Sequence, residues 1–207
     1  MSSTEAIIIF TRNPELGKVK TRLAQGVGKR AALAIYERLI GHTYQVTKES
    51  PAVKLVWYSD QISEGDLWQG NAFQKFQQKG DDLGERMLFA FQTAFELGFK
   101  KVIIIGSDLF DLEIQHINNA FSILNEKEAV IGPAADGGFY LLGLKKIIPG
   151  IFSIKNWGTD TVLADTLKNL KSSHFEKLPV LNDIDFKEDL TKHPELLQLV
   201  KNIQNNL

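Results

Sequence analysis

Short apolar runs recur along the chain, each followed by polar residues, with longer helix-patterned segments between them. That alternation restricts the possible folds more than any other feature. Ile7 to Phe10, Val53 to Tyr58 and Val102 to Ile105 read as buried strands, as do Ala129 to Gly132, Phe139 to Leu144 and Glu176 to Leu181. Helical spacing fits Lys29 to Thr47, where Ala32, Ile35, Tyr36, Leu39 and Thr43 share one face. It also fits Asp82 to Leu97, a segment carrying Ile114, Ile117, Phe121 and Leu124, Asp160 to Leu170, and Pro194 to Ile203. Gly98 is a natural stop for the second of these. Strands alternating with helices imply an α/β fold, a mostly parallel sheet covered on both faces. Ser63 to Asn71 is the most loop-like stretch, although it carries Trp68. With no repeat and no linker rich in Pro, Gly or Ser, one domain over residues 1–207 is expected.

Composition narrows the chemistry. The formal net charge is −1, so a basic surface for coating nucleic acid is not indicated and any cluster of cations is local. The absence of cysteine excludes disulfides, thiolate metal sites and cysteine nucleophiles. The segment MSSTEAIIIF lacks the basic start and long apolar run of a secretory signal, and no stretch is long enough to span a bilayer. A cytoplasmic protein is the expectation.

Against that nearly neutral background, FTRNPELGKVKTRLA packs Arg12, Lys18, Lys20 and Arg22 behind the first strand. Mutual repulsion gives no structural reason for such crowding, although one of these side chains can point to water. In open α/β sheets ligands bind outside the carboxyl ends of the strands. Here Ser59 and Asp60 follow the second strand, Ser107 and Asp108 follow VIIIG, Asp136 follows AVIGPA, and Asp183 and Asp185 follow LPVLN. If these strands run parallel, cations from the first loop face carboxylates from later ones. That suits a phosphate-bearing ligand with a divalent cation: guanidinium and ammonium groups bind phosphate oxygens, and two or three carboxylates hold a hard ion.

Simpler roles exist for several of these residues. Asp82-Leu-Gly-Glu85 and Asp185-Phe-Lys-Glu188 fit capping boxes, and Asp111 and Thr159 fit helix caps. Gly137-Gly138 suits either a tight turn or close backbone approach to a ligand. Asp108 is not needed for capping. LGKVKT is no phosphate-binding P-loop, since Arg12 stands where that motif needs glycine. The four histidines, His42, His116, His174 and His193, lack metal-ligand spacing and read as structural or exposed.

The stretches FTRNPELGKVKTRLA, GDDLGERM, GSDLFDL, GPAADGGFYLLGL, WGTDTVLADTL and DIDFKEDL, in this order, cover most of the chain. As a set they resemble an uncharacterised bacterial glycosyltransferase-A-like family of the nucleotide-diphospho-sugar transferase superfamily. More distantly the chain is similar to 2-phospho-lactate guanylyltransferases and molybdenum-cofactor guanylyltransferases. The resemblance implies a GT-A fold, a Rossmann-like three-layer α/β/α sandwich with a mixed, mostly parallel sheet. It implies a transferase taking a nucleoside-diphosphate sugar or a nucleoside triphosphate, a small-molecule acceptor, and Mg2+ or Mn2+.

Carried over by position, Arg12, Lys18, Lys20 and Arg22 lie on the phosphate side. Asp108 is the metal aspartate and takes part in catalysis. Asp185, or alternatively Asp183, is the second carboxylate. Asp136, with Gly137 and Gly138, lines the sugar or acceptor side, and Asp82, Glu85 and Arg86 border the pocket. Leu109-Phe110 stands where family members commonly carry Cys-Pro, and Phe186-Lys187 where they carry Thr-Pro. Three functions follow: glycosyl transfer with Asp136 as base or sugar ligand, nucleotidyl transfer releasing pyrophosphate, or non-catalytic nucleotide binding.

Overall fold

Ile7, Ile8 and Ile9 alternate between the two faces of a sheet and are fully buried on both, so the strand that holds them must lie between two helical layers. A computed structural model describes residues 3–148, 150–153, 156–171 and 173–205 and shows this arrangement. Seven strands, β1 (Glu5–Thr11), β2 (Val53–Tyr58), β3 (Phe73–Gln77), β4 (Lys101–Gly106), β5 (Ala129–Pro133), β6 (Phe139–Leu144) and β7 (Phe175–Lys177), form one sheet in the order β3-β2-β1-β4-β6-β5-β7. β6 runs antiparallel to both of its neighbours, and every other pairing is parallel. β1, β4 and β5 therefore point the same way, and the loops that follow them emerge at one edge.

The helices are α1 (Thr21–Val27), α2 (Lys29–Lys48), α3 (Leu83–Glu96), α4 (Ile114–Glu126), α5 (Val162–Leu170) and α6 (Pro194–Asn205), with a 3-10 turn at Lys187–Lys192. One core joins Ile7, Ile9, Ile103 and Ile105 to Tyr36 and Ile40 of α2 and to Ile117, Phe121 and Leu124 of α4. The opposite core joins Ile8, Leu55, Ile104 and Leu142 to Met87, Ala90 and Phe91 of α3 and Leu170 of α5. A third core lies outside the sheet, where Leu23 and Val27 of α1 meet Ala32, Ile35 and Leu39 of α2, Leu196 and Val200 of α6, and Ile184. None of the described helices is long and apolar enough to cross a membrane.

The observed elements differ from the sequence expectation in places. β3 is an added edge strand; its sequence FQKFQ is only half buried and carries no apolar run. Its Lys75 pairs with Asp66 at 2.9 Å, and Tyr58 donates to the same carboxylate, so the loop before β3 is pinned, with Trp68 only 2% exposed. β7 stops at Lys177, and Pro179 follows without an N–H to donate; a single further bridge joins Leu181 to Ala134.

Several caps also differ. Asp82 caps α3 through its Oδ1, which accepts the Glu85 N–H at 2.8 Å, but Glu85 returns to the N–H of Asp81. α4 begins after Glu113, whose N–H is accepted by His116, while Asp111 faces His193 at 3.5 Å. The Thr159 hydroxyl donates to the carbonyl of Asn156 and caps no helix. At the last expected box, Asp189 rather than Glu188 accepts from the chain, taking the N–H groups of Phe186 at 2.7 Å and Asp185 at 3.0 Å.

Candidate functional site

The loop after β1 ends at Lys20, a non-glycine residue in the left-handed region with φ 46° and ψ 47°. That conformation costs on the order of 1–2 kcal/mol and needs surrounding structure to hold it. What holds it is the start of α1, whose Leu23 is anchored in the third core, and an ion pair at each side of the ammonium. Lys20 Nζ lies 3.1 Å from Asp108 Oδ2 and 2.8 Å from Asp185 Oδ1, and its side chain is 5% exposed. Arg22 reaches the other oxygen of Asp185 at 3.4 Å.

Asp108 arrives from β4. The preceding Ser107 is buried and hydrogen-bonded to Thr11 at 3.1 Å and to Tyr36 at 3.2 Å. Tyr36 also accepts the backbone N–H of Arg12 at 2.8 Å, so one phenol ties the ends of β1 and β4 to α2. Leu109 is buried in the first core, and Phe110 packs against the third core, His42 and His193. These two apolar anchors hold the chain just past Asp108. Asp185 comes from the segment before the 3-10 turn. Ile184 is fully buried in the third core, Asp183 and Asp185 on either side of it line the pocket and the cleft, and Asp189 latches the turn. The first loop and the late carboxylates are thus brought together by one small hydrophobic cluster.

Charge states follow from this packing. Burial opposes a charge on Lys20, but Asp108 and Asp185 outweigh it and its pKa rises above the ordinary lysine value. The ammonium of Lys20, aided by the guanidinium of Arg12, holds Asp108 below the usual carboxylate range against the effect of burial. Asp183 goes the other way: burial, and then the neighbouring charge of Asp108, push it up to about 7.

Two depressions meet at this edge. A cleft of about 930 Å³ is lined by Arg12, Lys18, Lys20, Arg22, Asp82, Arg86, Asp108 and Asp185, together with Ser59, Asp60 and Gln78. A smaller pocket of about 230 Å³ adjoins it, sharing Phe10, Leu83 and Gly106, and is lined by Met87, Phe139, Trp157, Val162, Asp136, Gly138 and Asp183.

The expected site residues do not all point the same way. Lys18 sits on the cleft rim, 70% exposed, and pairs with Glu15 at 2.6 Å. Arg86 braces itself on the Gly80 carbonyl at 3.0 Å and lines the cleft. Glu85 is exposed and spends its carboxylate on the turn before α3. Asp136 lies in the β5–β6 turn and accepts the Gly138 N–H at 2.9 Å. Gly137, at φ +90°, faces the protein: a Cβ there would lie 2.2 Å from the carbonyl oxygen of Asp160. The doublet is therefore a turn, and only its second glycine lines the pocket.

Sequence reasoning did not single out Tyr36, Asp189 or Trp157. Helical spacing puts Tyr36 on the core face of α2, where its ring is buried while its hydroxyl reaches the loops. The Trp157 signal was an aromatic residue directly before Gly158 and Thr159, outside any helix period.

No curated protein matches the sequence. Among solved structures, the chain is similar to a candidate nucleotide-diphospho-sugar transferase from Desulfovibrio desulfuricans G20, with 30% identity, 98% of this chain and 96% of that one covered, and a TM-score of 0.86. The fold is shared with 4-diphosphocytidyl-2C-methyl-D-erythritolsynthase from Anaerococcus prevotii DSM 20548 at 10% identity, covering 96% and 100% of the two chains, TM-score 0.59. It is shared as well with the inositol-1-phosphate CTP transferase of T. maritima at 16% identity, with 97% of each chain covered and a TM-score of 0.58. The expected nucleotide-diphospho-sugar transferase fold is thus the one found. Residues 42–159 match a family model described as "Uncharacterized protein conserved in bacteria (DUF2064)", and it is to this family that the chain belongs.

Proposed function

We propose that the protein is a transferase that binds a nucleoside-diphosphate sugar with a divalent cation and passes the sugar to a small-molecule acceptor. The observation that carries this reading is Lys20 held between Asp108 and Asp185 inside a cleft that also presents Arg12, Arg22 and Arg86. A diphosphate entering the cleft meets the arginines beside a lysine already shared by two carboxylates. The named function of the Desulfovibrio relative agrees with it.

The donor set suits a hard ion. Among the described residues no three His, Asp or Glu side chains form a preassembled cage, but Asp108 and Asp185 already share one cation, the Lys20 ammonium. Mg2+ or Mn2+ commonly takes one or two carboxylates and completes its shell with phosphate and water. Asp108 and Asp185 would hold it, and when bound it would supply charge neutralisation at the departing diphosphate. Arg12, Arg22 and Arg86 bind phosphate oxygens, and Lys20 sets the separation of the two carboxylates. Asp136 keeps one oxygen on Gly138 and has the other for the proton of an attacking hydroxyl.

Nucleotidyl transfer is the second reading. The named activities of the Anaerococcus and T. maritima proteins favour it, and phosphoryl chemistry needs positioning and charge more than a base. A non-catalytic nucleotide binder is the third, and turnover of any nucleotide overturns it.

The test is a thermal-shift screen of nucleoside di- and triphosphates with and without Mg2+ or Mn2+. A metal-dependent rise is expected for the correct nucleotide and is lost in Lys20→Ala and Asp108→Ala, each measured against its own baseline. Rises unchanged in both variants would move the site elsewhere. Released nucleoside diphosphate marks glycosyl transfer, and released pyrophosphate marks nucleotidyl transfer.

A further inference from the structure

The pocket beside the cleft has a chemistry of its own. Phe10, Leu83, Met87, Phe139, Trp157 and Val162 make its walls, and among the described residues no Lys or Arg lines it. Its ionisable groups are the carboxyls of Asp136 and Asp183. The cleft next door, by contrast, is lined by Arg12, Lys20, Arg22 and Arg86. An anionic group entering the small pocket meets a carboxylate with no cation among the lining residues to balance it. A hydroxyl meets an acceptor, since Asp136 commits only one oxygen to Gly138.

Size sets a second limit. An apolar cavity of about 150 Å³ holds benzene, so the 230 Å³ here admits a ring-sized body. Phe139 and Trp157 stand edge to face with centroids 6.4 Å apart, both partly exposed at the pocket, and offer flat apolar surface to such a body.

We propose that this pocket holds the acceptor, and that the acceptor is an uncharged alcohol with a ring-sized apolar body, not a phosphate- or carboxylate-bearing metabolite. This deepens the transferase reading and rests on the cleft being the nucleotide site. In the transfer, the acceptor hydroxyl gives its proton to the free oxygen of Asp136 and its oxygen bonds to the anomeric carbon. The bond from that carbon to the phosphate oxygen breaks, and its electron pair leaves on the nucleoside diphosphate.

The experiment uses 15N-labelled full chain with Mg2+ and excess inorganic pyrophosphate, so that the cations of the cleft are occupied. Benzyl alcohol and benzoate are titrated in turn and the indole N–H signals are followed. Trp157→Phe assigns one signal to the pocket, and Trp57 and Trp68, 1% and 2% exposed, serve as internal controls. Benzyl alcohol is expected to shift the Trp157 signal saturably and to leave the other two in place. Benzoate is expected to bind at least tenfold more weakly, with Asp136→Asn narrowing that gap. Val162→Phe, which fills the pocket, is expected to remove the benzyl alcohol response while the nucleotide-dependent thermal shift persists.

A Trp157 signal indifferent to benzyl alcohol overturns the proposal, and so does benzoate binding as well as the alcohol. Failure of the two readings is distinguishable. A cleft that binds Mg-nucleotide beside a pocket that ignores benzyl alcohol overturns the pocket assignment alone. A pocket that binds the alcohol beside a cleft that binds neither nucleotide nor pyrophosphate overturns the cleft reading and the acceptor role together.

Discussion

The cleft and the pocket share Phe10, Leu83 and Gly106 as a wall, yet they are built on opposite principles. In the cleft, charges of both signs converge and satisfy one another through Lys20. In the pocket, apolar side chains share the lining with two carboxyl groups that have no counter-ion among the lining residues. The difference lies in what positions each set. The cleft depends on segments far apart in sequence, near residues 20, 108 and 185, held together by the third core. The pocket is also assembled from distant segments, but where α3, β6 and α5 begin, with Trp157 laid across Gly84.

Lys20→Met strikes the cleft hardest. It leaves Asp108 and Asp185 facing each other with no ammonium between them, both partly open to water. Urea unfolding is expected to show a loss of about 2–3 kcal/mol, and the Mg-nucleotide thermal shift is expected to vanish. The response of Trp157 to benzyl alcohol should survive, because no atom of Lys20 lines the pocket. If both responses disappear, the two regions are one cooperative unit.

Gly84→Ala strikes the other side. A Cβ at that position would lie 2.2 Å from the Phe152 carbonyl oxygen and 2.6 Å from Trp157 Nε1, so backbone and indole must both move. The expected cost is about 1–3 kcal/mol, with loss of the benzyl alcohol response and retention of the nucleotide shift. A variant that keeps the pocket response would show that Trp157 is held by other contacts.

Asp189→Ala has the smallest expected effect. It frees the N–H groups of Asp185 and Phe186 and the amide of Asn182. A stability loss of about 1–2 kcal/mol is expected, together with weaker metal-dependent nucleotide binding and an unchanged pocket. Nucleotide binding equal to that of the parent would mean that Ile184 alone orients the Asp185 segment.

The sheet was legible in the sequence wherever burial was complete. VIIIG and AIIIF have no other place to go than between two helical layers, and their strands lie where the apolar runs are. β3 was not legible because its Phe73 and Phe76 are only partly buried and pack on opposite faces, leaving neither an apolar run nor an alternation, and α1 was hidden by its length of two turns between Lys20 and Gly28. The carboxylates after the strands were visible as candidates because position after a strand is a sequence property. Their separation into cap, turn and cleft was not visible, since Asp82, Asp111, Asp136 and Asp185 are the same residue type doing different work.

The order of apolar and polar segments, then, was enough to determine an α/β protein with its candidate site residues at one sheet edge, because side-chain periodicity and burial are local demands. The meeting of Lys20 with Asp108 and Asp185 was decided only by tertiary structure. Coulombic attraction acts over a few ångströms, and nothing local in the chain brings such distant residues that close. The packing of Leu23, Ile35 and Ile184 into one core does so, and it also fixes the left-handed backbone that aims the ammonium between the two acids.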